Sequence, residues 1–379
     1  MRSKPMILVA LLLAAFLVNL DTTLVNVALP AMVRELHATT TQLQWVVDSF
    51  NLVFAALLLT CGSLSDRFGR KGMLLAGLAV FGTASLAGGF TTGPAQLIAA
   101  RSVMGLGAAM TFPATLSLIS NVFTERRERA RAIGLWGAVA GVAIAMGPIV
   151  GGWLLEHFSW DSIFIAMAPV AAAAAIGVAL VVPTSKDPDA AAPDIPGLVL
   201  SAATMALLVF TIIEAPDYGW AAARSVAGFA ASAVLLAAFI AAERRAAHPM
   251  LDVRLFRNLR FSAASGAVTV SFFTLFGFIF LITQYFQLIK GYDPLSAGVH
   301  TLPFAIVTGA ASPFAPILAS RFGTKLVVPL GLLAMSAGFA LASTVNADTA
   351  YFGPVIISMA LMGSVALSAN LAPNLGVRA

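Results

Sequence analysis

The residue most able to do chemistry lies inside an apolar run. Asp21 sits in the first long hydrophobic stretch, among Asn19, Thr22, Thr23 and Asn26. At about 100° per residue, those four share one helix face and Asp21 lies off it. A polar stripe facing hydrocarbon would leave its donors unpaired, so it must line a cavity or a helix contact. An aspartate near the bilayer centre costs about 2.5–3.5 kcal/mol on insertion scales. Taking up a proton removes much of that cost, which suits Asp21 to proton coupling. The plainer reading is a structural aspartate bonded to a neighbouring helix.

Arg101 poses the same problem with opposite charge. It falls inside another apolar run, and Gly105, Ala108, Ala109 and Phe112 share its face. Small residues there let a second helix approach. The guanidinium must then pair with a carboxylate or backbone carbonyls, or snorkel to the surface. A third cluster is GSLSDRFGRK, Gly62–Lys71, whose glycines suit a tight turn between helices. Asp66, Arg67, Arg70 and Lys71 there can form an ion-pair cluster, or serve only as a positive anchor. A fourth is a stripe of mostly small residues, Gly137, Gly141, Ala145, Pro148 and Gly152. It permits close backbone contact, and Pro148 predicts a kink, because it cannot bond the carbonyl of Ile144. Such a helix is a pivot, or simply tightly packed.

The elements that must position these groups are membrane helices. The chain has 379 residues, 59% hydrophobic and only 10% charged, against about 25% charged in soluble domains. A helix needs about 20 apolar residues to cross a bilayer. Twelve segments are expected: 6–29, 45–63, 73–90, 95–120, 132–155, 162–182, 196–214, 225–242, 262–288, 298–319, 327–345 and 351–372. The apolar runs are continuous rather than alternating, which argues against a β-barrel. With the N-terminus inside, eighteen Lys and Arg fall in inner connections or termini and three in outer ones. That bias places both termini in the cytoplasm and accounts for the net charge of +5 without nucleic acid. Four tryptophans, Trp45, Trp153, Trp160 and Trp220, then mark the outer boundary.

A repeat divides the chain. Arg67-Phe68-Gly69 and Lys71 match Arg321-Phe322-Gly323 and Lys325, and Met104-Gly105 is echoed by Met362-Gly363. Secondary transporters are often built from such parallel repeats. The second copy carries Ser320 for Asp66 and Met359 for Arg101. The expected division is an N-terminal six-helix bundle (1–182), a Pro- and Asp-rich cytoplasmic linker (183–195), an inserted helix pair with its cytoplasmic loop (196–260), and a four-helix C-terminal bundle (261–379). On this reading the second half lacks its last two helices.

Four signatures carry a family resemblance: LDTTLVNVALP at Leu20–Pro30, GSLSDRFGRK at Gly62–Lys71, RSVMGLGAAM at Arg101–Met110 and GVAIAMGPIVGG at Gly141–Gly152, with EAPDYGW at Glu214–Trp220 in the inserted pair. The chain resembles the major facilitator superfamily, in particular the fourteen-helix drug:proton antiporters of the EmrB/QacA type. The resemblance implies an all-α facilitator fold with about twelve of fourteen helices present. It also implies export of small hydrophobic or cationic drugs or metabolites across a bacterial inner membrane, and hence antibiotic resistance. Asp21 and Arg101 then serve proton coupling. Gly62, Asp66, Arg67, Gly69 and Arg70 form a conformational latch. Gly137, Gly141, Gly147, Pro148, Gly151 and Gly152 form the antiporter pivot. Asn19, Thr22, Thr23 and Asn26 are candidates to line the substrate cavity.

Other readings stay open on the same residues: transport of another small solute, a membrane sensor or scaffold, and a truncated, inactive remnant. The phenylalanines of the ninth segment, Phe272, Phe273, Phe276, Phe278 and Phe280, face lipid or touch drug. Asp48 and Glu214 are expected at the water interface. The histidines lack metal-ligand spacing, no phosphate-binding glycine loop occurs, and no nucleophile-and-base set is visible. The expected partners are a small molecule, protons and the bilayer, with no cofactor beyond the proton gradient and no enzymatic activity. The charge bias yields a direct test. In a Cys61→Ser background, single cysteines at 127 and 245 are expected to react only with reagents that reach the cytoplasm; labelling of either from outside intact cells would overturn the helix count.

Overall fold

The computed structural model describes residues 3–186, 194–246, 249 and 251–369. Arg2, most of the linker (187–193) and the last ten residues, with Arg378, lie outside them. No strand occurs among the described residues. In hydrocarbon each backbone N–H and C=O needs a partner, and a helix supplies all of them within one segment. The helices are α1 (Lys4–Leu36), α2 (Thr40–Phe68), α3 (Arg70–Gly88), α4 (Pro94–Val122), α5 (Arg126–His157), α6 (Ser162–Val181), α7 (Ile195–Tyr218), α8 (Ala223–Arg245), α9 (Leu259–Gln284), α10 (Pro294–His300), α11 (Leu302–Phe322), α12 (Thr324–Ala342), α13 (Ile356–Met362) and α14 (Val365–Ala369). Among the described residues, ten helical stretches are long and apolar enough to span a membrane: α1 to α8, α9 with its π-helical extension to Ile289, and α12. Every one of the twelve expected segments overlaps a helical path.

Two paths are interrupted where continuous helices were expected. The tenth segment breaks at Thr301, and Pro303 in the first turn of α11 has no N–H with which to continue the hydrogen-bond ladder of α10. The twelfth begins with a distorted turn at Tyr351–Val355, where Phe352 leaves the helical region and Gly353 has φ 156°. It breaks again at Gly363 and Ser364.

The chain forms two compact units. The first comprises Met1–Val18, Ala31–Gly137 and Ser159–Val253. Within it α2 packs on α4 and α7, α3 packs on α4 and α6, and α7 packs on α8. The inserted pair is fastened to α2 by side chains: Trp45 Nε1 donates to Glu214 at 3.1 Å, and Thr41 Oγ1 donates to Asp217 at 2.7 Å. Glu214 is therefore half-buried against α2 instead of facing water freely. The second unit comprises Asn19–Pro30, Ala138–Phe158 and Arg254–Ala379. Its core holds Leu275, Phe278, Phe286, Phe304, Met335, Met359 and Met362.

Each unit carries one copy of the Arg-Phe-Gly connection, built the same way. α2 runs through to Phe68 and α3 starts at Arg70, so Gly69 alone joins them. Gly62, expected in the turn, lies inside α2 beside Pro113. Likewise Gly323 alone joins α11 and α12. Gly69 has φ 123° and Gly323 has φ 82°, and each N–H closes the preceding helix, on Ser65 O and Ala319 O. Arg67 and Arg321 each lie over the ring of the following phenylalanine, at 5.7 and 5.6 Å. Gly69→Ala and Gly323→Ala are each expected to destabilise the protein by about 1–2 kcal/mol, because a Cβ is strained at positive φ. Thermal unfolding of the detergent-purified variants checks this; unchanged midpoints would contradict the one-residue turn.

Candidate functional site

Arg101 is fully buried on α4. Its Nε donates to the carbonyl of Val46 at 3.0 Å, and its guanidinium carbon stands 4.4 Å from the Phe50 ring centroid. The carbonyl partner and the cation–π contact rule out snorkelling. Room for this arrangement comes from Gly105, one turn on, where a Cβ would stand 2.5 Å from the Phe50 carbonyl oxygen. The second unit repeats the contact without the charge: a Cβ on Gly363 would lie 3.0 Å from the Phe304 carbonyl oxygen, and Met359 replaces the arginine. Phe50 precedes Arg67 by the same number of residues as Phe304 precedes Arg321, so the repeat extends through the contact.

Asp21 is fully buried on the part of α1 that belongs to the second unit. The polar stripe bonds largely to its own helix. Thr22 donates to Asn19 O, Thr23 to Leu20 O, and Asn26 Nδ2 to Thr22 O. α5 packs on this stretch of α1 through glycine: a Cβ on Gly147 would collide with Thr23 Oγ1, and one on Gly151 would touch Leu24 O at 3.4 Å. Further along, a Cβ on Gly152 would stand 2.5 Å from Pro294 O, and one on Gly298 would strike Pro148 O. Asp293, whose carboxylate caps α10 by accepting from Ser296 N, is held below the usual carboxylate range by its bonds to Ser296.

Contacts along the α5 stripe are uneven. Gly147, Pro148, Gly151 and Gly152 meet neighbours. Added Cβ atoms at Gly137 and Gly141 meet nothing within 4 Å among the described residues. A periodic run of small residues permits contact along its whole length, but among the described residues partners meet its glycines only toward the C-terminal end.

One small cavity lies inside the second unit, with a volume of about 20 Å³, close to the space of a single water. Thr23 and Pro148 line it with Phe278, Phe304 and Met359, joined by Ile144, Ile279, Ile282, Thr283, Thr301 and Ala305. Of the four expected cavity residues only Thr23 reaches it; Asn19, Thr22 and Asn26 do not line it. The hydroxyls of Thr23, Thr283 and Thr301 give their protons to their own helices, on Leu20, Ile279 and Gly298 carbonyls. The wall is therefore apolar and offers acceptor lone pairs. The aromatic ninth segment divides: Phe272, Phe273 and Phe276 are exposed, while Phe278 is buried in the cavity wall. Thr283, Thr301 and Phe304 escape a sequence reading, since isolated apolar and threonine residues in apolar runs carry no distinguishing signal; Met359 is marked only as the repeat counterpart of Arg101.

At the Gly62–Lys71 cluster, Arg70 Nε meets Asp66 at 2.6 Å. Arg70 N donates to Ser185 O and Lys71 Nζ to Ala179 O. Arg67 turns to Phe68, so within the cluster the Asp66–Arg70 ion pair stands beside two backbone anchors and a cation–π contact. The α5 contacts set a clear contrast. Gly152→Ala forces α5 off the Pro294 carbonyl and is expected to lower stability by about 1–3 kcal/mol, whereas Gly141→Ala should leave it within about 0.5 kcal/mol. Fluorescence-detected size-exclusion after heating compares them; equal losses would show that the whole stripe is packed.

The comparisons with known proteins agree with this geometry. The chain matches the Major Facilitator Superfamily over residues 11–376. It is 38% identical over 332 residues to the multidrug efflux pump LfrA of Mycolicibacterium smegmatis, covering 88% of this chain and 66% of the relative. It is 33% identical over 363 residues to the multidrug resistance protein Stp of Mycobacterium tuberculosis, covering 96% of this chain and 67% of that protein. The chain thus spans about two thirds of the length of these curated relatives. Among solved structures, the nucleoside transporter NupG superposes with a TM-score of 0.68 at 13% identity, covering 98% of this chain and 85% of that one. A buried arginine, a buried aspartate, a glycine-packed α5 and a match from end to end make this chain a multi-span membrane protein of the Major Facilitator Superfamily.

Proposed function

We propose that this chain belongs to the fourteen-helix antiporter branch and exports small hydrophobic or cationic drugs or metabolites, driven by the proton gradient through alternating access. The observation that carries the reading is on α1. Asp21, fully buried, stands two residues from Thr23, which lines the apolar cavity. A proton site and a cargo wall on one helix turn allow protonation to change the position of both. Relatives described as multidrug efflux and resistance proteins support drug as the cargo. Arg101 supplies a buried guanidinium held on the Val46 carbonyl. The Asp66–Arg70 pair acts as a one-sided latch, as Ser320 replaces the aspartate in the second copy.

Rocking divides the chain functionally into 1–182 and 261–379, with 196–260 as the inserted pair. Pro148 and the packed glycines of α5 are the pivot, and no bound cofactor takes part. Both termini face the cytoplasm of a bacterial cell, on the positive-inside bias. Asp21→Asn is expected to abolish proton-linked export in reconstituted vesicles while leaving the protein folded and inserted. Substrate efflux and proton flux are measured together, and coupled flux at the wild-type level in the variant would refute the assignment.

A further inference from the structure

An open groove in the first unit, with a volume of about 400 Å³, is lined by Arg70, Leu116, Ser117, Ser120 and Asn121. We propose that it binds the phosphodiester headgroup of a membrane phospholipid. Its place fits, because Arg70 opens α3 and Asn121 sits in the last turn of α4, so the groove lies where helices leave the hydrocarbon. Its donors fit as well. Ser and Thr within a membrane helix commonly bond back to the preceding turn, as Ser102 does to Ile98 O and Thr111 to Gly107 O. The side chains of Ser117, Ser120 and Asn121, by contrast, make no hydrogen bond to the chain among the described residues.

Two hydroxyls and a carboxamide thus stand ready beside a guanidinium. Arg70 gives its Nε to Asp66, which orients the side chain and leaves the other four of its five N–H groups for further acceptors. Between Ser65 and Lys71 three cations, Arg67, Arg70 and Lys71, outnumber the one carboxylate, Asp66, so an anion is favoured. Exposed Leu116 on the rim and exposed Phe68 beside the turn offer apolar surface to the glycerol and first methylenes. That apolar rim makes the lipid, rather than a soluble phosphate, the occupant.

The test is native mass spectrometry of the detergent-purified chain with added dioleoylphosphatidylglycerol, which needs no transport activity. Wild type is expected to retain one lipid roughly tenfold more strongly than the Ser117→Ala, Ser120→Ala, Asn121→Leu triple variant, the equivalent of one to two hydrogen bonds. The Ser117→Thr, Ser120→Thr variant keeps both hydroxyls and should retain the lipid, and single Ser120→Ala should fall between, which separates lost binding from lost folding. Dioleoylglycerol, without a phosphate, should not be retained. Equal retention by wild type and triple variant overturns the proposal. So does displacement of the lipid by millimolar inorganic phosphate, which would make the groove a soluble-anion site.

Discussion

In hydrocarbon, apolar side chains have no water to escape, so helices of this chain hold together where their backbones can touch. Lipid tails are as apolar as leucine and give no driving force between helices; close van der Waals contact has to supply it. The contacts that do so are glycine against carbonyl: Gly105 on Phe50, Gly363 on Phe304, Gly152 on Pro294 and Gly298 on Pro148. The last two are reciprocal, since α5 offers a glycine to α10 and α10 offers one back. Two polar groups of the site depend on these approaches. Arg101 reaches Val46 only because Gly105 brings α2 against α4, and Thr23 meets the cavity wall of Pro148 beside the Gly147 contact.

The two repeats use one architecture for different chemistry. Both place a positive-φ glycine between two helices and a glycine on the carbonyl of a phenylalanine. The first copy adds Arg101 and Asp66; the second has Met359 and Ser320 at those places. Of the two copies only the first carries the arginine and the Asp66–Arg70 pair, while the second unit holds an apolar cavity with Phe278, Phe304 and Met359. In the first copy the Val46 carbonyl accepts from Arg101. At the matching residue of the second, His300, the carbonyl accepts from the Tyr351 hydroxyl at 2.9 Å. A backbone acceptor at that level is satisfied in both units, by a cation in one and a neutral phenol in the other.

Much of this was legible in the sequence, for a physical reason. A bilayer restricts a chain to helices of nearly fixed length, so apolar runs alone determined the number and order of the twelve paths. Positive φ favours glycine, so the Arg-Phe-Gly repeat announced both one-residue turns. An arginine inside an apolar run had few ways to be satisfied, and a carbonyl partner was among those expected.

What the tertiary structure decided is which of several possible neighbours each face meets. Small residues at helical spacing permit contact without saying whether a helix arrives, and so Gly147 and Gly152 are packed while Gly137 and Gly141 meet no neighbour among the described residues. Polar residues on one face of α1 require satisfaction, but their own helix satisfies most of their donors, leaving Thr23 alone on the cavity. Phe278 and Phe273 are indistinguishable by residue type, yet one is buried in the cavity wall and the other is exposed. In an apolar chain the periodicity that separates buried from exposed faces in water is lost, because both faces are apolar, and only the packed helices tell them apart.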